Sequence, residues 1–289
     1  MRSLGVVFEP AFPPERLREV AQSVEDAGVP ELWLWEDCFR ESGIASAAVA
    51  LAATTELTVG IGVLPMPLRN VALTAMELAT LSRLFPGRIV GGVGHGVQSW
   101  MAQVGARHAS PLTLMAEYLP TLRALLAGER VTIDGRYVHL DDVALDWPPT
   151  VAVPVFAAAE GPKTLDSSGA LADGTIIPSG WSPTRLREAA IRVRAAADVR
   201  AGDHCVAVYL LTRFTEDSAA SGEPTGRERV FGDVSVVAET VEAFFAAGAT
   251  TVVLQPSADD DDLIGFSQRS GEVARMLGIA RSATGFGSP

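Results

Sequence analysis

Two adjacent carboxylates beside a thiol are the first residues in this sequence whose types and spacing could do chemistry. Glu36, Asp37 and Cys38 follow the short apolar run of residues 31–35. A carboxylate at the end of a strand can hydrogen-bond the N–H groups of a heterocycle or move a proton, whereas in an ordinary loop it would only be solvated. Of the two carboxylates, Asp37 is the preferred catalytic candidate.

A histidine between glycines is the second candidate. His95 lies between Gly94 and Gly96, at the end of the run Gly-Gly-Val-Gly-His-Gly that precedes a predicted helix. On such a loop His95 is not expected to be a packed core residue, and an imidazole there can bind an anion or donate a proton. The glycines are compatible with a phosphate at the helix N-terminus, and a plain tight turn explains them equally well.

The third candidate contains the only lysine in the sequence. Lys163 follows Gly161 and Pro162 at the predicted start of a helix and precedes Thr164. A cation at this end of a helix opposes the helix dipole, which favours anions there. Proline at the first helical position leaves free amides behind it and Thr164 adds a hydroxyl, so residues 161–164 form a candidate phosphate site. The alternative for Lys163 is an ordinary surface position.

Glycines and prolines crowd the stretch 57–70, LTVGIGVLPMPLRN, which precedes a helical run. An apolar, β-branched run that ends in glycines and prolines is typical of a buried parallel strand whose carboxyl end opens into a site. Gly60 and Gly62 indicate a bulge, and the same geometry lets a flat ring lie against the backbone. We expect this stretch to form the floor of a binding cleft.

These candidates must be positioned by the alternation of strand and helix signals along the chain. Eight strand candidates, nearly all followed by helices, predict a (β/α)8 TIM barrel, a fold of ~250 residues. The main alternative, a doubly wound sheet, usually places a glycine-rich phosphate loop after its first strand, where this chain has Phe8, Glu9 and Pro10. In a barrel the candidate residues all follow strands, where barrel active sites are built.

Two segments interrupt the alternation. Residues 131–140, with Asp134 and Gly135 at their centre, predict a β-hairpin inserted after the fourth βα unit. Residues 218–232 are polar and are expected to be loosely structured. The whole chain, residues 1–289, is expected to form a single barrel domain.

Composition and charge restrict the partners that we expect. A net charge of -12 argues against nucleic acid and anionic membranes, which require a basic face. No signal-peptide pattern opens the sequence and no apolar run approaches the ~20 residues of a membrane span, so a cytoplasmic protein is expected. Cys38 and Cys205 lie far apart without metal-type spacing, so neither a disulfide framework nor a metal site is expected.

Together the motifs resemble those of the bacterial luciferase-like flavin-dependent oxidoreductases, particularly the branch that uses the deazaflavin coenzyme F420. The resemblance rests on WED at the second strand, VGIGVLP at the third, GGVGHG at the fourth, and GPKTL followed by SGALADG, and it extends over nearly the whole chain. It implies a cofactor lying across the strand ends of a barrel. It also implies a bulge with a non-prolyl cis peptide at the end of the third strand, at Gly62-Val63.

The resemblance assigns roles to matched positions. Asp37 would contact the deazaflavin ring, and Gly62 and Val63 would support it. The side chain of the cofactor would be lined by Gly94, His95 and Gly96, and its phosphate would be held by Gly161, Pro162, Lys163 and Thr164. Arg69, just beyond the third strand, is a second candidate cation for the anionic tail.

One position departs from the pattern of these relatives. Those that act on sugar phosphates or alcohols often carry histidine directly after the aspartate, where this chain has Cys38. Cys38 is either a small filler or a substrate contact, and nothing in the sequence indicates an activated thiol. Three residues at the mouths of the first, sixth and eighth strands are candidate substrate contacts or ordinary loop residues: Glu9, Trp181 and Gln255.

The function implied is an oxidoreductase that transfers a hydride between C5 of coenzyme F420 and a small organic substrate, with the protein supplying orientation and electrostatics. Asp37 or His95 is the candidate to carry the accompanying proton. An FMN-dependent monooxygenase served by a separate reductase is one alternative, and a barrel that binds flavin or deazaflavin without catalysis is another. Because relatives commonly dimerise, a homodimer is an expectation. No motif indicates the substrate.

Overall fold

The computed structural model describes residues 2–197, 204–215, 229–257 and 260–279. Its strands are, in chain order, β1 (Ser3–Val7), β2 (Glu31–Leu34), β3 (Thr58–Pro65), β4 (Ile89–Gly94), β5 (Val131–Asp134), β6 (His139–Val143), β7 (Val155–Ala158), β8 (Gly174–Ile177), β9 (Cys205–Phe214), β10 (Arg229–Gly232) and β11 (Thr251–Gln255). Eight of them pair in parallel in the order β1-β2-β3-β4-β7-β8-β9-β11, and β11 pairs again with β1. This closed sheet confirms the predicted (β/α)8 barrel.

Helices surround the barrel. They are α1 (Leu17–Asp26), α2 (Gly43–Ala53), α3 (Val71–Leu84), α4 (Gln98–Gln103), α5 (Pro111–Leu126), α6 (Pro162–Leu171), α7 (Pro183–Ala196), α8 (Val234–Ala246) and α9 (Leu263–Met276). The local sequence sets where several of them begin, because Ser42, Asn70 and Ser182 accept hydrogen bonds from backbone amides in the first turns of α2, α3 and α7. None of the helices in the described residues is long and apolar enough to cross a membrane.

The barrel strands are buried on both faces, so their side chains divide between two clusters. Leu32 and Leu34 of β2 pack outward against the helices, and Trp33 points into the barrel with Phe156, whose ring centroid lies 6.2 Å away. Gly60 leaves room for this indole, because a Cβ there would lie 2.6 Å from Trp33 Cε2. These aromatic rings fill the barrel interior, so the open end lies beyond them, at the carboxyl ends of the strands.

The predicted hairpin is present. β5 and β6 pair antiparallel and lie in the chain between α5 and β7, which is the position expected for an insertion after the fourth βα unit. The second strand of the hairpin extends to Val143, three residues beyond the predicted end.

The prediction for residues 218–232 is wrong at its C-terminal end. Arg229–Gly232 forms β10, which pairs in parallel with β9 outside the closed ring of strands. The alternation of burial in β10 is that of a strand with one covered face, and the polar neighbours in the sequence concealed it. Residues 218–228 lie outside the described residues.

Candidate active site

A cavity of about 590 Å³ opens at the carboxyl ends of the barrel strands. It joins segments that are far apart in the sequence. The predicted site residues on its wall are Asp37 after β2, Gly62 and Val63 in β3, His95 and Gly96 after β4, Gly161 and Thr164 at the start of α6, and Gln255 at the end of β11. Closure of the barrel therefore brings the loop carboxylate, the glycine-rich strand end, the histidine and the helix N-terminus to one place.

The other predicted residues lie outside the described wall of this cavity. Gly94 is buried directly behind it, because a Cβ on Gly94 would lie 2.7 Å from Val63 Cγ2. Pro162 and Lys163 are exposed at the start of α6. The structure thus places these three beside the cavity rather than on its surface.

The end of β3 has the backbone that the resemblance implies. The Gly62-Val63 peptide is cis, and the register between β3 and β4 shifts between Ile61 and Leu64. The predicted cis peptide and bulge are therefore confirmed. A second non-prolyl cis peptide, at Cys38-Phe39, was not expected from the sequence.

Tyr209 is a cavity residue that sequence reasoning missed. It lies inside the barrel on β9, and its hydroxyl donates a hydrogen bond of 3.0 Å to the Gly62 carbonyl oxygen. Burial raises the pKa of Tyr209, which keeps the hydroxyl protonated and able to donate. In the sequence Tyr209 is simply an aromatic residue within an apolar strand. Such a residue more often belongs to the core than to a binding site.

Glu36 and Asp37 are adjacent on the cavity wall and have different surroundings. Glu36 Oε2 accepts hydrogen bonds of 2.9 Å from Arg69 Nη2 and of 2.9 Å from the Gly43 amide. Arg69 also donates to Glu77 Oε2 over 3.1 Å. Among the residues that the structure describes, the Asp37 carboxylate has no hydrogen-bond or ion-pair partner, which leaves it available to a ligand.

These contacts also correct the suggested role of Arg69. Its guanidinium is largely buried, with 13% of the side chain exposed, and it bonds two carboxylates. Its charge is therefore compensated within the protein, so it is not a spare cation for an anionic cofactor tail. The sequence concealed the contact with Glu36 because that residue is 33 positions from Arg69 along the chain.

His95 is the most unusual polar residue at the cavity. Both ring nitrogens, Nδ1 and Nε2, are buried, and neither has a hydrogen-bond partner among the residues that the structure describes. Burial lowers the pKa of His95, so the imidazole is neutral at neutral pH. Because His95 lies on the cavity wall, both nitrogens are available to hydrogen-bond a ligand in the cavity.

Glu9 lies behind the cavity wall and is hydrogen-bonded to Gln255. Gln255 Nε2 donates a hydrogen bond of 2.6 Å to Glu9 Oε1, and Gln255 itself lines the cavity. Glu9 is 6% exposed, and burial, together with the charge of Asp37, raises the pKa of its carboxyl. The proposed contact of Glu9 with substrate is thus indirect in this structure, while Gln255 is placed to contact a ligand.

Cys38 and Trp181, the other candidate substrate contacts, are not on the described cavity wall. Burial and the neighbouring charges of Glu36 and Asp37 raise the pKa of the Cys38 thiol, which disfavours a reactive thiolate. Trp181 is 4% exposed and packs in the main core, with the Arg185 guanidinium 3.7 Å from its ring centroid. It serves the packing of α7 in this structure.

The start of α6 presents a helix N-terminus at the edge of the cavity. Thr164 Oγ1 donates to the Gly161 carbonyl over 2.8 Å and accepts from the Gly161 amide over 3.1 Å, so its hydroxyl is already engaged. Gly161 offers no side-chain cap to the helix. The amides of the first turn and the exposed Lys163 are therefore the groups left to meet an anion.

The luciferase-like monooxygenase family matches residues 3–249. The chain belongs to this family. The 5,10-methylenetetrahydromethanopterin reductase of Methanolobus tindarius is 28% identical over 286 residues, which cover 96% of this chain and 82% of the relative.

Two further relatives support the placement of this luciferase-like chain. An F420-dependent glucose-6-phosphate dehydrogenase of Kineococcus radiotolerans is 30% identical over 246 residues, which cover 79% of this chain and 72% of the relative. The solved structure of an F420-dependent secondary alcohol dehydrogenase superposes with a TM-score of 0.83 at 19% identity, covering 96% of this chain and 99% of that chain. At that identity the second similarity establishes the barrel fold alone.

Proposed function

We propose that this chain is an oxidoreductase that uses coenzyme F420 and transfers a hydride between the deazaflavin ring and a small organic substrate. One observation carries the proposal: the ends of β2, β3 and β4 and the start of α6, separated in sequence, line a single cavity of about 590 Å³. The similarity to a relative named as an F420-dependent glucose-6-phosphate dehydrogenase supports the choice of cofactor.

The residues present fit such a cofactor. The unpartnered nitrogens of His95 offer a donor and an acceptor to a polar heterocycle, and the glycine at position 62 leaves the backbone of β3 open to a flat ring. Gly62 and Val63 would support the ring, with Tyr209 fixing the Gly62 carbonyl from behind. When bound, the deazaflavin supplies the hydride chemistry, and the protein supplies position and charge.

The phosphate of the cofactor would be held at the start of α6. The amides of the first turn point out of the helix N-terminus, and the Lys163 ammonium lies on the same turn. Gly161 allows close approach because it carries no side chain, and Pro162 starts the helix and leaves the amides of the following residues free. Gly96, with a φ of +65°, turns the chain after β4 along the side of the cavity. Gly94 makes room for Val63.

The proton that accompanies hydride transfer would be moved by Asp37 or His95. Asp37 has a carboxylate without a partner among the described residues, and His95 is neutral, so each can accept a proton at neutral pH. Cys38 is not suited to this role because its pKa is raised.

Titration of the cofactor-free protein with F420 and with FMN tests the proposal. We expect F420 to bind in the micromolar range or tighter and to be reduced or oxidised by at least one member of a panel of alcohols, aldehydes and unsaturated compounds. Binding can be followed by the fluorescence of the cofactor and by calorimetry. Tight binding of FMN without binding of F420 would refute the choice of cofactor.

An FMN-dependent monooxygenase is the second candidate, because the matching family is described as luciferase-like monooxygenases. The same titration separates the two. If reduced FMN, supplied by a separate reductase, supports oxygen-dependent turnover and F420 does not bind, the second candidate replaces the first.

A further inference from the structure

The charged side chains on the described wall of the cavity all carry the same sign. They are Glu36, Asp37 and Glu160, and no lysine or arginine of the described residues accompanies them. Arg69 compensates Glu36, whereas Asp37 has no such partner. His95 adds no positive charge, because its imidazole is neutral.

A second carboxyl lies directly behind this wall. Glu9 is buried and is held by Gln255, which lines the cavity, and the charge of Asp37 acts on the Glu9 carboxyl. The exposed Arg40 is the cation whose charge acts on Glu9, and it is not on the described wall. The described wall therefore presents carboxylates, and no cation, to an anionic group of a substrate.

The rest of the wall is largely apolar. Trp35, Trp100 and Val97 face the cavity together with Pro65, and the ring of Trp35 packs 5.8 Å from that of Tyr209, centroid to centroid. Large aromatic surfaces of this kind bind flat or compact apolar groups, and they offer few hydrogen-bond partners to a hydrated anion.

We propose that the cavity selects a substrate without phosphate or carboxylate groups, an uncharged or cationic molecule with an apolar, ring-sized body. This rests on the proposed function and names the substrate class of the same site. Phosphate recognition ordinarily uses arginine, lysine or free helix amides, and the described wall near Asp37 has none of them. The proposal separates this chain from its relative named for glucose 6-phosphate.

Three benzyl alcohols that share one ring and differ in the charge of the para substituent test this selection. Benzyl alcohol is neutral, 4-(hydroxymethyl)benzoate is anionic and 4-(aminomethyl)benzyl alcohol is cationic. Their dissociation constants are measured by calorimetry and by quenching of tryptophan fluorescence, with F420-loaded and cofactor-free protein at neutral pH and fixed ionic strength. We expect the anion to bind at least about tenfold more weakly than the other two, because like charges repel strongly in a partly buried site.

Matched variants identify the source of the discrimination. Asp37→Asn should reduce the discrimination against the anion by at least about threefold. Glu188→Gln, a neutralisation on the exposed face of α7, should leave it unchanged. The proposal is overturned if the anion binds as tightly as benzyl alcohol, if none of the probes binds within its solubility, or if Asp37→Asn leaves the discrimination intact.

The outcome for the cofactor is read separately. F420 binding is measured by its own fluorescence before any probe is added. If F420 fails to bind while cofactor-free protein still discriminates against the anion, the proposed function is wrong and the charge selection stands. If F420 binds and the discrimination is absent, the charge selection is wrong and the proposed cofactor stands.

Discussion

Replacement of His95 by phenylalanine should move stability and ligand binding in opposite directions. The wild-type imidazole has one N–H donor and one acceptor, both buried and neither bonded to any residue in the described part of the chain. Leaving a buried polar group unsatisfied costs about 1–3 kcal/mol, and an apolar replacement removes that cost. We therefore expect His95→Phe to leave the free energy of unfolding of the cofactor-free protein unchanged or to raise it, by at most about 1–3 kcal/mol.

Cofactor binding should weaken in the same variant. If the cofactor hydrogen-bonds His95, loss of these bonds should reduce affinity by about 1–3 kcal/mol, or roughly 5-fold to 150-fold. Urea unfolding of the cofactor-free protein and titration with F420 measure the two effects. His139→Asn is the matched control, because His139 is exposed on the hairpin and bonds Asp134 there.

The pH dependence of stability provides an independent check on His95. Its pKa in the folded protein lies below the ordinary value of 6.5. As the pH falls below 6.5, the unfolded chain binds a proton that folded His95 resists, so stability decreases with falling pH. His95→Phe lacks this contribution, so its stability advantage over the wild type should grow towards acid pH. A destabilised variant that binds F420 normally would show that His95 is an ordinary packing residue.

Three further predictions concern other parts of the molecule. Lys163→Ala should weaken F420 binding by about 1–3 kcal/mol, through loss of a charge-assisted hydrogen bond to phosphate, as measured by titration. Arg69→Met should lower the free energy of unfolding by about 3–5 kcal/mol, because it leaves the largely buried Glu36 without its cation, as measured by urea unfolding. The pKa of His204 is lowered to about 4 from 6.5, chiefly by burial, so stability present above pH 6.5 should decrease by about 3 kcal/mol as the pH falls to 4. His204→Gln should lack most of this decrease in pH-dependent unfolding experiments, because glutamine does not titrate. The buried ring that it replaces is hydrogen-bonded to Thr175.

Each of these has an outcome that contradicts it. Unchanged F420 affinity in Lys163→Ala would remove the lysine from the cofactor site. Arg69→Met with wild-type stability would mean that Glu36 is solvated or protonated at little cost. Equal acid sensitivity of wild type and His204→Gln would assign the loss of stability to other groups.

The strand and helix pattern of this protein was largely readable from the sequence. Parallel strands buried on both faces need continuous apolar runs, and the turns that follow them need glycine and proline, so β3 and its approach to the cavity were visible in residues 57–70. Helix starts are local features, because capping residues such as Ser42 and Asn70 act on neighbouring amides. β10 was missed because a short edge strand among polar residues carries too few apolar positions to reveal its period.

The location of the candidate site could also be predicted, because in a barrel every strand end faces the same opening. Asp37, His95 and Thr164 follow different strands, and barrel closure alone is enough to bring them to one cavity. Within that region the sequence could not separate residues on the wall from their neighbours. Trp181 and Cys38 were candidates because they follow strands, but neither side chain lies on the described wall of the cavity.

What the sequence determined by itself was the set of local features: strand ends, helix starts and residue types with the capacity for chemistry. The tertiary structure decided their partners. Whether Glu36 or Asp37 is available depends on Arg69, which lies 33 and 32 residues further along the chain and reaches only Glu36. Tertiary structure likewise decides that His95 has no partner among the described residues and that Tyr209 bonds the Gly62 carbonyl. Hydrogen bonds and charge compensation depend on distances of a few ångströms between remote segments, and only the packed barrel fixes those distances.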